Sequence, residues 1–268
     1  MENGNLPEML SFRDSVVLVT GGCQNFGQEI ATGFAELGAA VVVTSRDAQK
    51  AEQAAAELAG SHGTRVMGLA LDITDEQSVI NAFDMIMAEF GVLDVLVNNA
   101  GGHSPLATGK LDTEPLAAWN AFIDINMTGT FLMTREYARR MMPQRTGCII
   151  NIASIAGMVG RDRRVYPEGM KPQPVQYAAA KAGMIGFTYD SAAYLAEYGI
   201  RVNAVSPGGF ERGQPDEFIA GYSDRTMLKR MGRDGYDLKG CVTFLASDAA
   251  AYITGHNLVV DGGFTRFK

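Results

Sequence analysis

Seven short runs of branched aliphatic residues, alternating with longer stretches of helical composition, constrain this chain more than any other feature. The runs span residues 16–19, 41–43, 66–71, 95–97, 148–152, 202–205 and 258–260. None alternates apolar with polar, so none suits a strand with one wet face. Each suits a strand buried on both faces of a parallel sheet. Between them the composition predicts helices over 27–37, 48–59, 75–90, 116–142, 175–198 and 238–245. Asp47 and Thr74 are expected N-caps, and Gly38, Gly60, Gly91 and Gly199 stand where helices should stop. Such alternation implies right-handed crossovers and an α/β fold, a doubly wound parallel sheet of about seven strands flanked by helices.

A chain of 268 residues with 47% hydrophobic content can bury one large core. Residues 1–268 read as a single domain, without repeat, low-complexity tract or linker. About 1–12 form an N-terminal extension, and 210–235, of mixed charge and no clear period, an insertion over the sheet. A net charge of −7 gives no reason to expect nucleic acid as partner. No apolar run approaches the roughly 18 residues needed to span a bilayer, and the N-terminus lacks a basic-then-apolar signal pattern. Cys23, Cys148 and Cys241 lie far apart, without a C-x-x-C pair. They read as thiols of a cytosolic protein, not as a disulfide framework or a metal site.

"VVLVTGGCQNFGQEIA" (16–31) is strand, glycine-bearing turn, then helix. Backbone N–H groups of the turn and the helix N-terminus can hold a pyrophosphate there. At the end of the second strand, where an acidic residue would take a ribose diol, Ser45 and Arg46 stand instead, and Asp47 follows as a cap. An arginine pairs with a 2′-phosphate that a carboxylate would repel, which favours NADP(H) over NAD(H). The other reading is that Arg46 stacks on the adenine and tolerates both.

"YAAAK" places Tyr177 and Lys181 four apart, on one helix face. A free tyrosine is too weakly acidic to be a good base at neutral pH, and a nearby ammonium brings its pKa down. The spacing alone is equally that of a solvated pair.

With these motifs in place, the chain resembles the short-chain dehydrogenase/reductase family over nearly its full length. "TGGCQNFG" (20–27) resembles the family's phosphate loop, "LD" at Leu71 and Asp72 its adenine-contacting aspartate, and "NNAG" (98–101) the segment after the fourth strand. Asn126 in "DINMTGTF", Ser154 in "NIASIAG", "YAAAK", "SPGG" (206–209) and "TGHNLVVDGG" (254–263) follow in the family's order. The resemblance implies a Rossmann-like fold and an NAD(P)-dependent oxidoreductase that interconverts an alcohol and a carbonyl. It implies Tyr177 as general acid/base and Lys181 as the group that lowers its pKa and bonds the nicotinamide ribose. Ser154 would hydrogen-bond the reacting oxygen, and Asn126 would hold a water linking Lys181 to solvent. It implies cofactor contacts at Gly21, Gln24, Asn25, Phe26, Gly27, Ser45, Arg46, Asp72, Ile73, Asn99, Ala100, Gly101, Tyr177, Lys181, Pro207, Gly208 and Phe210, with no metal. It also implies a homo-oligomer, usually a tetramer, built on the long helices and the final strand.

Three departures stand out. Asn25 replaces a loop glycine, and asparagine is the residue most tolerant of the positive φ required. Gln24 replaces the basic residue common in NADP-specific relatives. The segment from Ser154 to Tyr177 is 23 residues, well beyond the family's usual spacing. This 155–175 insertion is basic and carries Arg161, Arg163 and Arg164. Loops at strand C-termini carry substrate contacts in such folds, so these arginines are candidates to meet an anionic or polyhydroxylated substrate. The alternative is that they pair with acids or face water. Glu211, Arg212 and Gln214 come from the facing segment, and His103 and Ser104 follow "NAGG". Two polar loops over one site suit a sugar, sugar acid or polyol. A 3-oxoacyl-thioester reductase is the competing enzyme reading, and a nucleotide-binding protein without turnover the reading from another class.

Overall fold

The computed structural model describes residues 4–102 and 106–267. In chain order they form α1 (Leu6–Met9), β1 (Val16–Val19), α2 (Asn25–Glu36), β2 (Ala40–Ser45), α3 (Ala48–His62) and β3 (Val66–Ala70). Next come α4 (Glu76–Phe90), β4 (Val95–Asn98), α5 (Leu116–Ile123), α6 (Gly129–Met141), β5 (Gly147–Ile152) and α7 (Val175–Leu195). Then follow β6 (Ile200–Pro207), β7 (Phe210–Glu211), α8 (Asp216–Asp224), β8 (Gly232–Arg233), α9 (Lys239–Ala246) and β9 (Asn257–Val260). Seven strands make one parallel sheet in the order β3-β2-β1-β4-β5-β6-β9. Every residue of β1 and β4 is buried, as continuous aliphatic runs require of a sheet covered on both faces. One face packs Ile30 and Phe34 of α2 and Val242 and Leu245 of α9 against Val17, Val19 and Ile150. The other packs Phe83 of α4, Met133 and Tyr137 of α6 and Leu195 of α7 against Leu18, Leu96 and Ile149.

The strand order reverses between β1 and β4, so the loops after these two strands open a crevice at the C-terminal edge. Thr20 and Asn99 tie the two loops together. The Thr20 Oγ1 accepts from the amides of Asn99 (3.0 Å) and Ala100 (2.9 Å), and Asn99 Nδ2 donates to the Thr20 carbonyl at 2.9 Å.

The structure departs from the sequence-based expectations in four places. Asp75, not Thr74, caps α4, its carboxylate accepting from the Gln77 amide at 2.9 Å, while Thr74 donates to Asp72 at 2.7 Å. α3 runs through Gly60 to Gly63, whose left-handed φ of 66° lets its amide reach the Ala59 carbonyl at 2.8 Å. The single helix expected over 116–142 is α5 and α6 joined by a π turn, Asp124–Thr128. The 210–235 segment is not irregular: it holds α8 and the β7–β8 pair, and the buried Glu29 carboxylate accepts amides of Gly235, Leu238 and Lys239 at its end. The N-terminal extension is also anchored, through Phe12, buried edge-on against Phe34 at 4.9 Å.

Candidate active site

The phosphate loop has the shape that a dinucleotide needs. A Cβ on Gly27 would lie 2.1 Å from the Gly21 carbonyl oxygen and 2.6 Å from Asn99 Nδ2, so only glycine fits where α2 begins. Asn25 takes a φ of +50°, the left-handed turn expected of it, and Gly21 one of +63°. Gln24 precedes α2 without capping it through its side chain, which leaves the first N–H groups of the helix for an anion. The Gln24 side chain instead meets Lys50 of α3. Lys50 escaped the sequence reading; its signal was its place in the first turn of α3, one turn after the Asp47 cap. Ser45 closes β2, Arg46 is exposed beside it, and Asp47 is occupied as the cap of α3. Asp72 and the buried Ile73 follow β3; the Thr74 hydroxyl, foremost, with a contribution from Arg46, holds the Asp72 carboxyl below its ordinary value. On the far side Phe210 packs edge-on to Phe26 at 4.7 Å, after Pro207 and Gly208 at the end of β6.

Ser154, Tyr177 and Lys181, the expected reacting groups, lie where the end of β5 meets α7. Ser154 follows β5 and caps the short turn Ile155–Gly157, its Oγ accepting from the Ala156 amide at 3.1 Å. That acceptance leaves the Ser154 hydroxyl proton free to donate. A Cβ on Gly157 would lie 2.6 Å from the Ala182 amide nitrogen, so this glycine lets the strand end press against α7 beside Lys181. Tyr177 packs against Phe122 of α5, ring centroids 6.0 Å apart. Burial pushes the Tyr177 phenol above its ordinary pKa, with the Ser154 bond and the Arg161 charge opposing. Lys181 is buried and donates to the Ile152 carbonyl at 2.8 Å; burial pulls its ammonium down to about 8. The cation that opposes the rise at Tyr177 is therefore Arg161, while the Lys181 ammonium is spent on a main-chain carbonyl.

Asn126 lies in the π turn. Its Nδ2 donates to the carbonyls of Phe122 (3.0 Å) and Gly102 (3.3 Å), and its Oδ1 faces Gly101, where a Cβ would come within 2.8 Å. π turns inside helices often mark functional positions, because they rearrange main-chain carbonyls.

The three arginines of the insertion separate. Arg163 is exposed, and Arg164 is fixed to Asp162 through Nε and Nη2, both at 2.8 Å. Asp162 also takes Arg225 at the end of α8, at 2.7 Å. Only Arg161 turns inward, with Nη2 donating to the Pro174 carbonyl at 3.0 Å. Arg163 thus faces water and Arg164 pairs with an acid, the alternative that the sequence left open for them. Arg212 is likewise engaged, stacked 3.9 Å over Phe26 and paired with Asp234 at 2.6 Å, and Glu211 is exposed. His103 and Ser104 lie outside the described residues.

The insertion and the 210–235 segment form one cap. Val165 packs with Phe218, Tyr222 and Met231 in a small apolar cluster of its own, and Tyr166 meets Phe218 at 5.2 Å. The Tyr222 hydroxyl accepts from the Gly209 amide at 2.6 Å. A second joint missed in the sequence is Glu114, which accepts from the Thr108 and Gly109 amides (3.0 Å each) and from Gln176 (2.6 Å), next to Tyr177.

A family model described as enoyl-(acyl carrier protein) reductase matches residues 22–265. The chain is 36% identical over 258 residues to the 3-oxoacyl-(acyl-carrier-protein) reductase of Escherichia coli, covering 95% of this chain and 98% of that one. It is 37% identical over 254 residues to a D-threitol dehydrogenase of Mycolicibacterium smegmatis, covering 93% and 92%. Its fold superposes on a short-chain type dehydrogenase/reductase from Mycobacterium marinum with a TM-score of 0.86 at 32% identity, covering 98% and 100%.

Proposed function

The chain belongs to the short-chain dehydrogenase/reductase family, and on that premise we propose that it interconverts an alcohol and a carbonyl on a small polar substrate of the sugar, sugar-acid or polyol kind, with NADP(H) favoured over NAD(H). The observation that carries this reading is the cap. Two polar segments, joined by Asp162 and Arg225, meet beside the stretch between Ser154 and Tyr177, and a half-buried guanidinium, Arg161, bonds the Pro174 carbonyl there. A charged, hydrogen-bonding enclosure rewards a substrate dense in oxygen atoms more than an acyl chain.

The glycine turn and the open N-terminus of α2 fit a pyrophosphate. Arg46, with Lys50 close by and no carboxylate at the end of β2, fits a 2′-phosphate. When bound, the nicotinamide supplies the hydride chemistry. Tyr177, whose phenol burial keeps above its ordinary pKa, holds the proton for a carbonyl oxygen. Ser154 donates to the same oxygen and positions it. Lys181, near 8, stands behind as the group that exchanges a proton with solvent along the Asn126 side. Asn126, Ser154, Tyr177 and Lys181 are the catalytic set in this reading, and the final strand with the long helices builds a homotetramer. The three unpaired thiols fit a cytosolic setting.

The test is a panel of initial rates with NADPH and NADH against keto-sugars, sugar acids, polyols and an acetoacetyl thioester. The expected result is turnover of the polar compounds, lost about 10²–10⁴-fold in Tyr177→Phe, with Arg46→Ala lowering the NADPH-to-NADH ratio. The similarity to the Escherichia coli enzyme supports a second reading, 3-oxoacyl-thioester reduction, and turnover confined to the thioester would establish it.

A further inference from the structure

Arg161 carries donor capacity that the protein itself does not use. Its guanidinium is half-buried, yet only Nη2 has a main-chain partner, the Pro174 carbonyl. Nη1 is sealed from solvent with no hydrogen-bond partner among the described residues. A buried donor on a charged group left unpaired costs about 1–3 kcal/mol or more, so such groups call for an explanation. The groups acting on this guanidinium are Tyr166, Arg163 and Tyr177, and no carboxylate is among them. Asp162, the adjacent acid, is turned away and held by Arg164 and Arg225. The positive charge is therefore uncompensated, and it is anchored next to Tyr177: the Pro174 carbonyl that takes Arg161 Nη2 at 3.0 Å also accepts the Tyr177 amide at 3.2 Å.

Resting on the reading above, we infer that Arg161 is the receptor for a carboxylate on the substrate, so that the reacting carbon belongs to a short hydroxy acid and its keto form rather than to a neutral polyol. A carboxylate presents two oxygens in the plane that a guanidinium fork matches, and a charge-assisted bond is about twice as strong as a neutral one. The Pro174 carbonyl fixes the fork before substrate arrives, which lowers the ordering cost of binding. The insertion has two jobs: Asp162 to Tyr166 dock on α8, and Arg161, just before them, turns the other way, to the Pro174 carbonyl.

The experiment compares 3-hydroxybutyrate and gluconate, each with its own primary amide, in the wild type, Arg161→Gln and Arg161→Lys. NADPH binding is followed by fluorescence as the check that each variant is folded. The wild type should favour the acids, and the acid-to-amide ratio of kcat/KM should fall about 100-fold in Arg161→Gln, with Arg161→Lys between the two. An unchanged ratio in Arg161→Gln, or a wild type that favours the amides, overturns the carboxylate receptor and leaves the alcohol–carbonyl reading standing. Turnover of an acetoacetyl thioester alone, or of nothing in the presence of bound NADPH, overturns both.

Discussion

At the scale of single residues, the buried ammonium of Lys181 is the most exacting feature. In the folded protein its pKa is near 8, against 10.5 for an ordinary lysine. Between those values the unfolded chain binds a proton that the native protein does not, so stability rises with pH across that window. Relative to Lys181→Met, the wild type should gain up to about 1.4 kcal/mol of unfolding free energy per pH unit from about 8 to 10.5, measured by denaturant titration. A flat difference would mean that the ammonium stays charged when buried. The Tyr177 phenol moves in the opposite sense, so alcohol oxidation should accelerate above neutral pH while carbonyl reduction does not. The identities of Asn126, Ser154, Tyr177 and Lys181 were legible in the sequence because each stands in an ordered motif. What each contacts was not. That Lys181 meets the Ile152 carbonyl while Arg161 acts on the phenol depends on the path of an insertion that has no period to read.

At the scale of elements, the parallel strands were legible to within a residue or two, because a run such as Val16–Val19 carries its burial in its own composition. The helix boundaries were less so. Asp75 and Thr74 can both cap, and only the tertiary position of Asp72 decides between them. The π turn at Asn126 was hidden because a single inserted residue leaves no mark in a hydrophobic period. The 210–235 segment concealed α8 because that helix buries only Phe218 and Tyr222, against the insertion rather than the sheet. The two segments should therefore loosen together. Phe218→Ala should raise protease cleavage within 160–174 as well as within 216–231, while NADPH affinity stays within a few-fold. Cleavage confined to 216–231 would show that the insertion holds its shape without α8. Gly27→Ala, in contrast, should abolish cofactor binding, since its methyl would meet the Gly21 carbonyl, and should be read by the loss of NADPH fluorescence enhancement.

At the scale of the whole molecule, α6 and α7 expose an apolar groove on their outer faces, lined by Phe131, Ala138, Phe187 and Tyr194, with Phe131 44% and Tyr194 60% exposed. An exposed apolar surface of that kind marks an interaction site, and β9 at the sheet edge is only partly covered as well. In the homotetramer we propose, a second copy covers the groove; sedimentation velocity should give a tetramer for the wild type and smaller species for Tyr194→Glu. The oligomeric state was suggested by resemblance alone in the sequence, because an amphipathic helix reads the same whether a sheet or a subunit covers it. The central claim, that the groups around Tyr177 direct a hydride between nicotinamide and a polar carbonyl, is tested most directly by label transfer. Deuterated NADPH is incubated with a keto acid and a keto-sugar, and the products are analysed by mass spectrometry. The account predicts one deuterium on the new carbinol carbon with the wild type and none above background with Tyr177→Phe. Cofactor that binds without delivering label to either compound would contradict it.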